Sequence, residues 1–252
     1  FFTFVFKNQI YFLIFFLILS SLYLRSAYLN IPLNQDEAKH VFIFEYFLSE
    51  SFYDRIKLTF QPTLIHILQG IYIKPFFLNS DYSVRLSNYF LTFLLLILIT
   101  IFSLKKIKSI PFILITIISY TYLLPLEFSN SWHFRHYTLL SLLSFIFFYY
   151  FYEISYLKKI NNLNIFLLFL FGFLVLNSHF FTWIYVGIFL LYLPFHFWLR
   201  KNFQLAFRYT VLIGIVYIIS IVINFEVLEN LLFKDYLTQS EKYKPKFDLI
   251  NF

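Results

Sequence analysis

The sequence predicts an all-α polytopic membrane protein with about seven transmembrane helices, and three features carry that prediction. The 252 residues are 60% hydrophobic, and only 13% of them are charged. The mean hydropathy of +0.74 is far from the usage of soluble globular domains. Apolar stretches also recur at close to the roughly 20 residues that cross ~30 Å of hydrocarbon as a helix. We therefore expect a single transmembrane module over residues 1–252.

Seven apolar stretches define the predicted transmembrane helices. The first is retained rather than cleaved as a signal peptide, because the following "SSLYLRSAY" offers no small-x-small cleavage site. The predicted spans are 9–26, 84–104, 110–126, 136–154, 164–178, 180–199 and 207–225.

Charged residues in the connecting segments alternate in sign along the chain. By the positive-inside rule the basic segments are cytoplasmic, so the N-terminus lies inside and segment 27–83 faces outward. We expect this arrangement in a bacterial inner (plasma) membrane, with the active site extracytoplasmic. The distribution of the +7 net charge therefore predicts the orientation of the protein in the membrane, and it does not indicate nucleic-acid binding. The basic set is Lys7, Lys105, Lys106, Lys108, Lys158, Lys159, Arg200, Lys201 and Arg208, with Glu153 as its one acid. The acidic set is Asp36, Glu37, Glu45, Glu50, Asp54, Asp81 and Glu127.

Segment 27–83 is predicted to form two juxtamembrane helices. In "NQDEAKHVFIFEYFLSE", Asn34 can act as N-cap and Glu37 falls three residues later, as in a capping box. A second helix, "PTLIHILQGIYIKPFF", begins with Pro62 in its first turn. It is short for a span, so we expect it to lie along the outer membrane surface.

The adjacent carboxylates Asp36 and Glu37 are the most informative pair in the chain. Acidic side chains are costly near hydrocarbon, so a pair just outside a first span indicates chemistry at the membrane surface. The alternative is local: Glu37 completes a capping box and Asp36 offsets the helix macrodipole. The spacing by itself does not decide between the two.

Four further motifs follow the acidic pair in a familiar order: "FQPTLIHIL", "DYSVRLSNYF", "FSNSWHFRHYTLL" and "LVLNSHFFTW". Over about residues 10–200 this order resembles the GT-C superfamily of membrane glycosyltransferases. It is most similar to the bacterial branch with protein mannosyltransferase-like enzymes and the lipid A aminoarabinose transferase. Departures are "QPT" for His-Pro-Pro, "RLS" for Arg-Leu-Pro, and His133 where an acidic residue often precedes the arginine. Because relatives generally carry more spans, we expect this chain to be the N-terminal portion of a longer protein.

The resemblance implies inverting transfer of a sugar from a polyprenyl-phosphate-linked donor to a lipid, glycan or protein acceptor. Asp36 would act as general base, and Glu37 would position the acceptor or Asp36, or bind a cation. Arg135 is the main candidate for the donor phosphate, because guanidinium grips phosphate oxygens bidentately; its alternative is an ion pair with Glu127. Arg85 and Lys74 are weaker candidates, since snorkelling at the membrane boundary would also explain them.

His133, His136 and His179 are predicted to lie together near the outer surface as a polar site. Together with Asp36 these histidines are candidates for a divalent-cation site, and the alternative is simple interfacial hydrogen bonding. No metal site is assigned, and no cofactor is certain. His66 and His196 are interpreted as structural.

Two rival functions remain at this stage. A transporter or flippase for polysaccharide or lipid-linked sugar would need a polar path, whereas the span interiors are almost bare of charge, and no repeat is obvious. A catalytically dead membrane scaffold would keep the fold without the chemistry. A nucleotide-sugar donor is unsupported, since no Gly-rich nucleotide loop or Walker motif is visible.

Overall fold

The protein is represented by a computed structural model that describes residues 2–30, 32, 35–44, 47, 49, 62–74, 80–119 and 136–229. Within these ranges the regular secondary structure is helical, and no strand occurs among them. The helices are α1 (Phe2–Ser26), α2 (Gln35–Phe44), α3 (Thr63–Ile73), α4 (Asp81–Phe102), α5 (Ile110–Ile118), α6 (Tyr137–Ser155), α7 (Asn162–Leu176), α8 (Thr182–Leu199), α9 (Phe203–Ile223) and α10 (Phe225–Glu229). A π-helical turn, Ser103–Ile107, extends α4.

In the described part of the chain, four segments are long and apolar enough to cross a bilayer, which marks an integral membrane protein. They are Asp81–Lys106, Tyr137–Ser155, Thr182–Leu199 and Phe203–Ile223. Each of the seven predicted spans falls on a helix, but α7 has 15 residues and the described part of α5 has 9. The all-helical membrane fold is therefore confirmed, and the count of seven spans is not.

The two juxtamembrane helices form as α2 and α3. The helix α2 covers the first part of the predicted amphipathic stretch, and its expected cap, Asn34, lies outside the described residues. Pro62 occupies the N-cap position of α3, with φ −54° and ψ 133°, one residue earlier than predicted. At about 1.5 Å per residue, the 11 residues of α3 are too short to span a bilayer.

Side-chain caps start several helices and left-handed residues end others. The side chains of Ser80, Asn161 and Asn202 accept from backbone N–H groups in the first turns of α4, α7 and α9. In the connections that precede α5, α7 and α9, the backbone takes positive φ at Lys108 (56°), Lys158 (55°) and Lys201 (59°). Left-handed residues reverse the chain sharply after a helix, so the connections there are short.

The main core is built between α4, α6, α7, α8 and α9. Fully buried Phe147, Leu168 and Leu190 belong to it, together with Ile65 from α3. A second cluster packs α1 against α5 through Ile14, Ile18, Leu22, Ile113 and Ile117. A third packs α2 and α3 against the start of α4 through Ile43, Phe44, Ile73 and Val84. The two juxtamembrane helices are thus anchored on the bundle rather than tethered only by the chain.

The antiparallel path of α4 to α9 separates two ends of the bundle. One end carries the short basic turns and is called the basic end. The other carries α2, α3, the start of α6 and the turn between α7 and α8, and is called the histidine end. The basic end holds Lys105, Lys106, Lys108, Lys158, Lys159, Arg200, Lys201 and Arg208. Separation of the basic set from the acidic pair follows the alternation predicted from the sequence.

Candidate functional site

A buried ion pair joins α2 to α4 at the histidine end. Arg85 Nε donates to Glu37 Oε1 at 2.9 Å, and Arg85 Nη2 donates to Glu37 Oε2 at 2.7 Å. The arginine side chain is 1% exposed, and the glutamate is fully buried. This two-point geometry fixes direction as well as distance, so it sets how α2 is rotated against α4.

The remaining Arg85 donors hold the chain between α1 and α2. Its Nη1 donates to the Tyr28 carbonyl at 3.2 Å, and its Nη2 also donates to the Pro32 carbonyl at 3.0 Å. At least four of the five guanidinium N–H groups are therefore directed at protein acceptors. A donor phosphate would therefore compete with these acceptors for the guanidinium, and snorkelling does not describe a side chain this buried. Arg85 fits a positioning role better than the predicted phosphate contact.

Asp36 directly precedes the anchored glutamate in α2. Its backbone is helical, and its position lies one turn before His40, on the same face of the helix. The Glu37–Arg85 pair thus fixes the helix that carries the proposed base. The Glu37 carboxylate accepts from Arg85, whereas its predicted capping partner lies outside the described residues.

Four histidines from four separate segments meet beside this pair. The ring centroids of His40 and His66 are 5.7 Å apart, those of His40 and His136 are 6.0 Å apart, and those of His66 and His136 are 6.4 Å apart. His179 stacks on His136 with centroids 5.8 Å apart and planes inclined by 25°. The first three rings are buried and His179 is half-buried. We call His40, His66, His136 and His179 the histidine cluster.

Burial keeps part of the histidine cluster uncharged at neutral pH. Burial, reinforced by the nearby His40, lowers the pKa of His66 from 6.5 to about 3. Burial also lowers the pKa of His179. Neutral imidazoles offer one donor and one acceptor each, which suits hydroxyl and phosphate recognition. Among the described residues, no three His, Cys, Asp or Glu side chains are arranged to hold one metal ion.

A buried amide network braces the turn that carries His179. Asn177 Nδ2 donates to Ser220 Oγ at 2.8 Å, and Asn224 Nδ2 donates to Asn177 Oδ1 at 2.6 Å. Thr182 Oγ1, on the other side of the turn, donates to the Val175 carbonyl at 2.7 Å. These bonds tie the ends of α7, α8 and α9 together, so the His179 backbone is held on both sides.

Several predicted residues cannot be placed beside this geometry. Arg135, His133 and Glu127 lie outside the described residues. Lys74 is exposed and directly follows α3. The predicted neighbours His136 and His179 do lie together.

Sequence reasoning did not name three members of this end as site candidates, and the structural role given to His66 stays a prediction. It assigned His66 a structural role and gave none to His40, although Asp36 and His40 have the one-turn spacing that would have linked them. It also overlooked Arg25, which is buried at the end of α1 and donates to the Ser21 carbonyl at 3.3 Å. A cation in the last turn of a first span was the available signal.

Comparison with known proteins adds no assignment, since no protein-family model, curated protein or solved structure matches this chain.

Proposed function

We propose that this chain is the membrane module of a GT-C-type, inverting glycosyltransferase that uses a polyprenyl-phosphate-linked sugar. One observation carries the proposal: α2 with its Asp-Glu pair, buried Arg85 and the histidine cluster all gather at one end of an apolar helical bundle. Buried polar groups are expensive at a membrane boundary and are typical of functional sites there. The motif order of the sequence supports the same reading.

The proposed reaction is a direct displacement at the anomeric carbon. The Asp36 carboxylate takes the proton of an acceptor hydroxyl as the acceptor oxygen bonds to that carbon. The bond from the anomeric carbon to the phosphate oxygen breaks at the same time, and polyprenyl phosphate leaves with that electron pair. A positioned base of this kind contributes about 10²–10⁴-fold.

The other residues serve this step in different ways. Glu37 and Arg85 hold α2 in register, so they are positioning residues. The neutral rings of His66 and His179 offer hydrogen bonds to sugar hydroxyls and phosphate oxygens. Arg135 and Lys74 remain the proposed cations for the departing phosphate, because charge develops there and fixed cations stabilise it.

The proposed topology places this chemistry outside the cell. Helices α1 and α4 to α9 would be the seven spans, with the basic end cytoplasmic under the positive-inside rule. The exposed apolar surface of the bundle, including Phe12, Ile188 and Phe207, offers contact to lipid and to the polyprenyl tail. A divalent cation at Asp36 and the histidine cluster stays part of the proposal as an option to be tested.

The test compares wild type with Asp36→Asn in membranes from cells that express the gene. The readout is loss of radiolabelled sugar from the polyprenyl-phosphate pool and its appearance in acceptor, with and without EDTA. We expect the variant to lose at least about 100-fold in rate. Asp81→Asn is the matched control, because Asp81 is a half-buried carboxylate in the first turn of α4.

Three outcomes would contradict the proposal or part of it. Equal consumption by wild type and Asp36→Asn would leave Asp36 as a helix-start residue only. Sugar-lipid that crosses the membrane without reaching acceptor would support a flippase. No consumption and no transport by wild type would support a scaffold. Inhibition by EDTA that one divalent metal reverses would show that the reaction requires a divalent cation.

A further inference from the structure

A cavity at the basic end lies far from the histidine cluster. It has a volume of about 370 Å³ and lies between the last turns of α4 and the second half of α6. Its wall is apolar and aromatic, with Leu98, Ile101 and Phe102 facing Phe145 and Ile146. Ile101 is 43% exposed, so the cavity opens on the outer surface of the bundle. This surface is the one that a bilayer would cover.

The wall is built from aromatic rings that pack against one another. The Phe102 ring meets Phe145, Tyr149 and Tyr152 edge to face, with centroids 5.7, 5.6 and 5.6 Å away. Edge-to-face contacts of this kind favour a defined ring arrangement over a collapsed one. The groove is therefore part of the packed structure of α4 and α6.

Two lysines close the cavity at its polar end. Lys105 and Lys106 both line it, and Lys106 Nζ lies 5.7 Å from the centre of the Tyr149 ring. Lys106 also bonds Glu153, whose other oxygen accepts from Lys159 at 3.2 Å. Two ammonium groups thus share one carboxylate. Among the described residues Lys105 has no ion pair, so a positive charge remains uncompensated at the mouth of an apolar groove.

The backbone presents these lysines at the end of the long apolar segment Asp81–Lys106. Lys108 N donates to the Ser103 carbonyl at 2.8 Å, five residues back, as in a π-helix. The left-handed Lys108 then ends the segment, and α5 begins two residues later with Ser109 as its cap. π-helical turns are rare and occur frequently at functional sites.

We propose that this cavity binds an anionic phospholipid. One acyl chain lies along the apolar wall, and the headgroup phosphate contacts Lys105 and Lys106. Basic pockets between transmembrane helices are suited to anionic headgroups, and each lysine contributes about 1 kcal/mol at an anionic surface. A free phosphate would use the lysines but not the wall, and a neutral lipid would use the wall but not the lysines. The site is independent of the proposed transferase chemistry.

The test uses the delipidated full chain in neutral detergent. Phosphatidylglycerol and phosphatidylcholine with the same acyl chains are titrated, and retained lipid is counted by native mass spectrometry. We expect tighter retention of phosphatidylglycerol, weakened about fivefold by Lys105→Gln, which is the equivalent of ~1 kcal/mol. Arg200→Gln is the matched control, since it removes the same charge at the basic end outside the cavity.

A second variant tests the apolar wall without changing charge. Ile101→Trp fills the groove at an exposed position, so it should remove phosphatidylglycerol binding while the protein stays folded. The proposal is overturned if both lipids bind equally, or if Lys105→Gln and Arg200→Gln weaken binding equally. It is also overturned if Ile101→Trp binds as wild type, or if inorganic phosphate or polyprenyl phosphate displaces phosphatidylglycerol at equimolar concentration.

Discussion

At the basic end Lys159 is 54% exposed, whereas at the histidine end Arg85 is 1% exposed, although both form ion pairs with glutamates. The lysine pair joins residues close together in the chain, and its exposed ammonium contacts a nearly buried carboxylate that Lys106 also contacts. The arginine pair joins residues 48 positions apart and is enclosed by protein. Removing the partner of a solvent-exposed charge costs the folded protein little stability, whereas removing the partner of a buried charge costs it much. The two ends therefore carry charge differently: the basic end presents exposed lysines at its turns, whereas the histidine end encloses an ion pair that joins α2 to α4.

Breaking the buried pair should give the largest effect. Arg85→Leu leaves the Glu37 carboxylate buried without its cation, so we expect a loss of about 3–5 kcal/mol in the free energy of unfolding. Lys159→Leu at the basic end should lose no more than about 1 kcal/mol. Reversible unfolding in mild detergent measures both.

The double variant Arg85→Leu with Glu37→Leu tests whether the lost stability comes from an uncompensated buried carboxylate or from the missing ion pair itself. It should recover part of the loss, because no charge is then left uncompensated. Equal destabilisation by Arg85→Leu and Lys159→Leu would remove the contrast between the ends.

Lowering the pH should weaken the histidine end selectively. The pKa of His66 is lowered to about 3 in the folded protein, and an unfolded histidine titrates near 6.5. Between these values the unfolded chain binds a proton that the folded protein does not. The stability from neutral His66 is thus fully present above pH ~6.5 and falls by up to about 1.4 kcal/mol per pH unit below it.

The measurement is the thermal midpoint at pH 7 and pH 5 for wild type, His66→Gln and His196→Gln. His66→Gln should flatten the pH dependence, and His196→Gln, at the basic end, should keep it. The opposite pattern would show that the basic end, and not the histidine cluster, senses pH.

Two glycines, Gly187 in α8 and Gly214 in α9, test how closely these helices pack. A Cβ added at Gly187 would lie 2.5 Å from the Tyr217 hydroxyl, which donates to the Trp183 carbonyl at 2.8 Å. Gly187→Ala should therefore displace that hydroxyl and lose about 1–3 kcal/mol. A Cβ at Gly214 meets nothing within 4 Å, so Gly214→Ala should gain up to about 1 kcal/mol. Thermal midpoints of the two variants should move in opposite directions, and a shared direction would contradict the close approach.

The smallest expected effect lies at the basic end, in the turn after α8. Lys201 has φ 59°, and the next N–H, of Asn202, donates to the Phe197 carbonyl at 2.9 Å, which forms a Schellman motif. Lys201→Gly relieves the left-handed strain, and Lys201→Ala removes the same charge while keeping the Cβ. We expect the glycine variant to be more stable than the alanine variant by about 1 kcal/mol. Equal midpoints would show that this turn is not strained.

Prediction from the sequence succeeded where the signal is local. Apolar stretches located the helices from α4 to α9, and the alternation of charge separated the basic turns from the acidic pair. The juxtamembrane helices α2 and α3 were also predicted, because capping residues and proline mark their starts. The predicted count of about seven spans is not confirmed, since α7 and the described part of α5 are shorter than a bilayer-crossing helix.

The sequence by itself determined which segments are helical and which turns are basic, because hydrophobic length and charge act over a few neighbouring residues. Only the tertiary structure decided that Arg85 closes on Glu37, and that His40 and His66 join His136 and His179. Those contacts depend on how helices far apart in the chain are rotated against each other. That rotation follows from packing the whole bundle, and a buried charge must find its partner there because water is excluded.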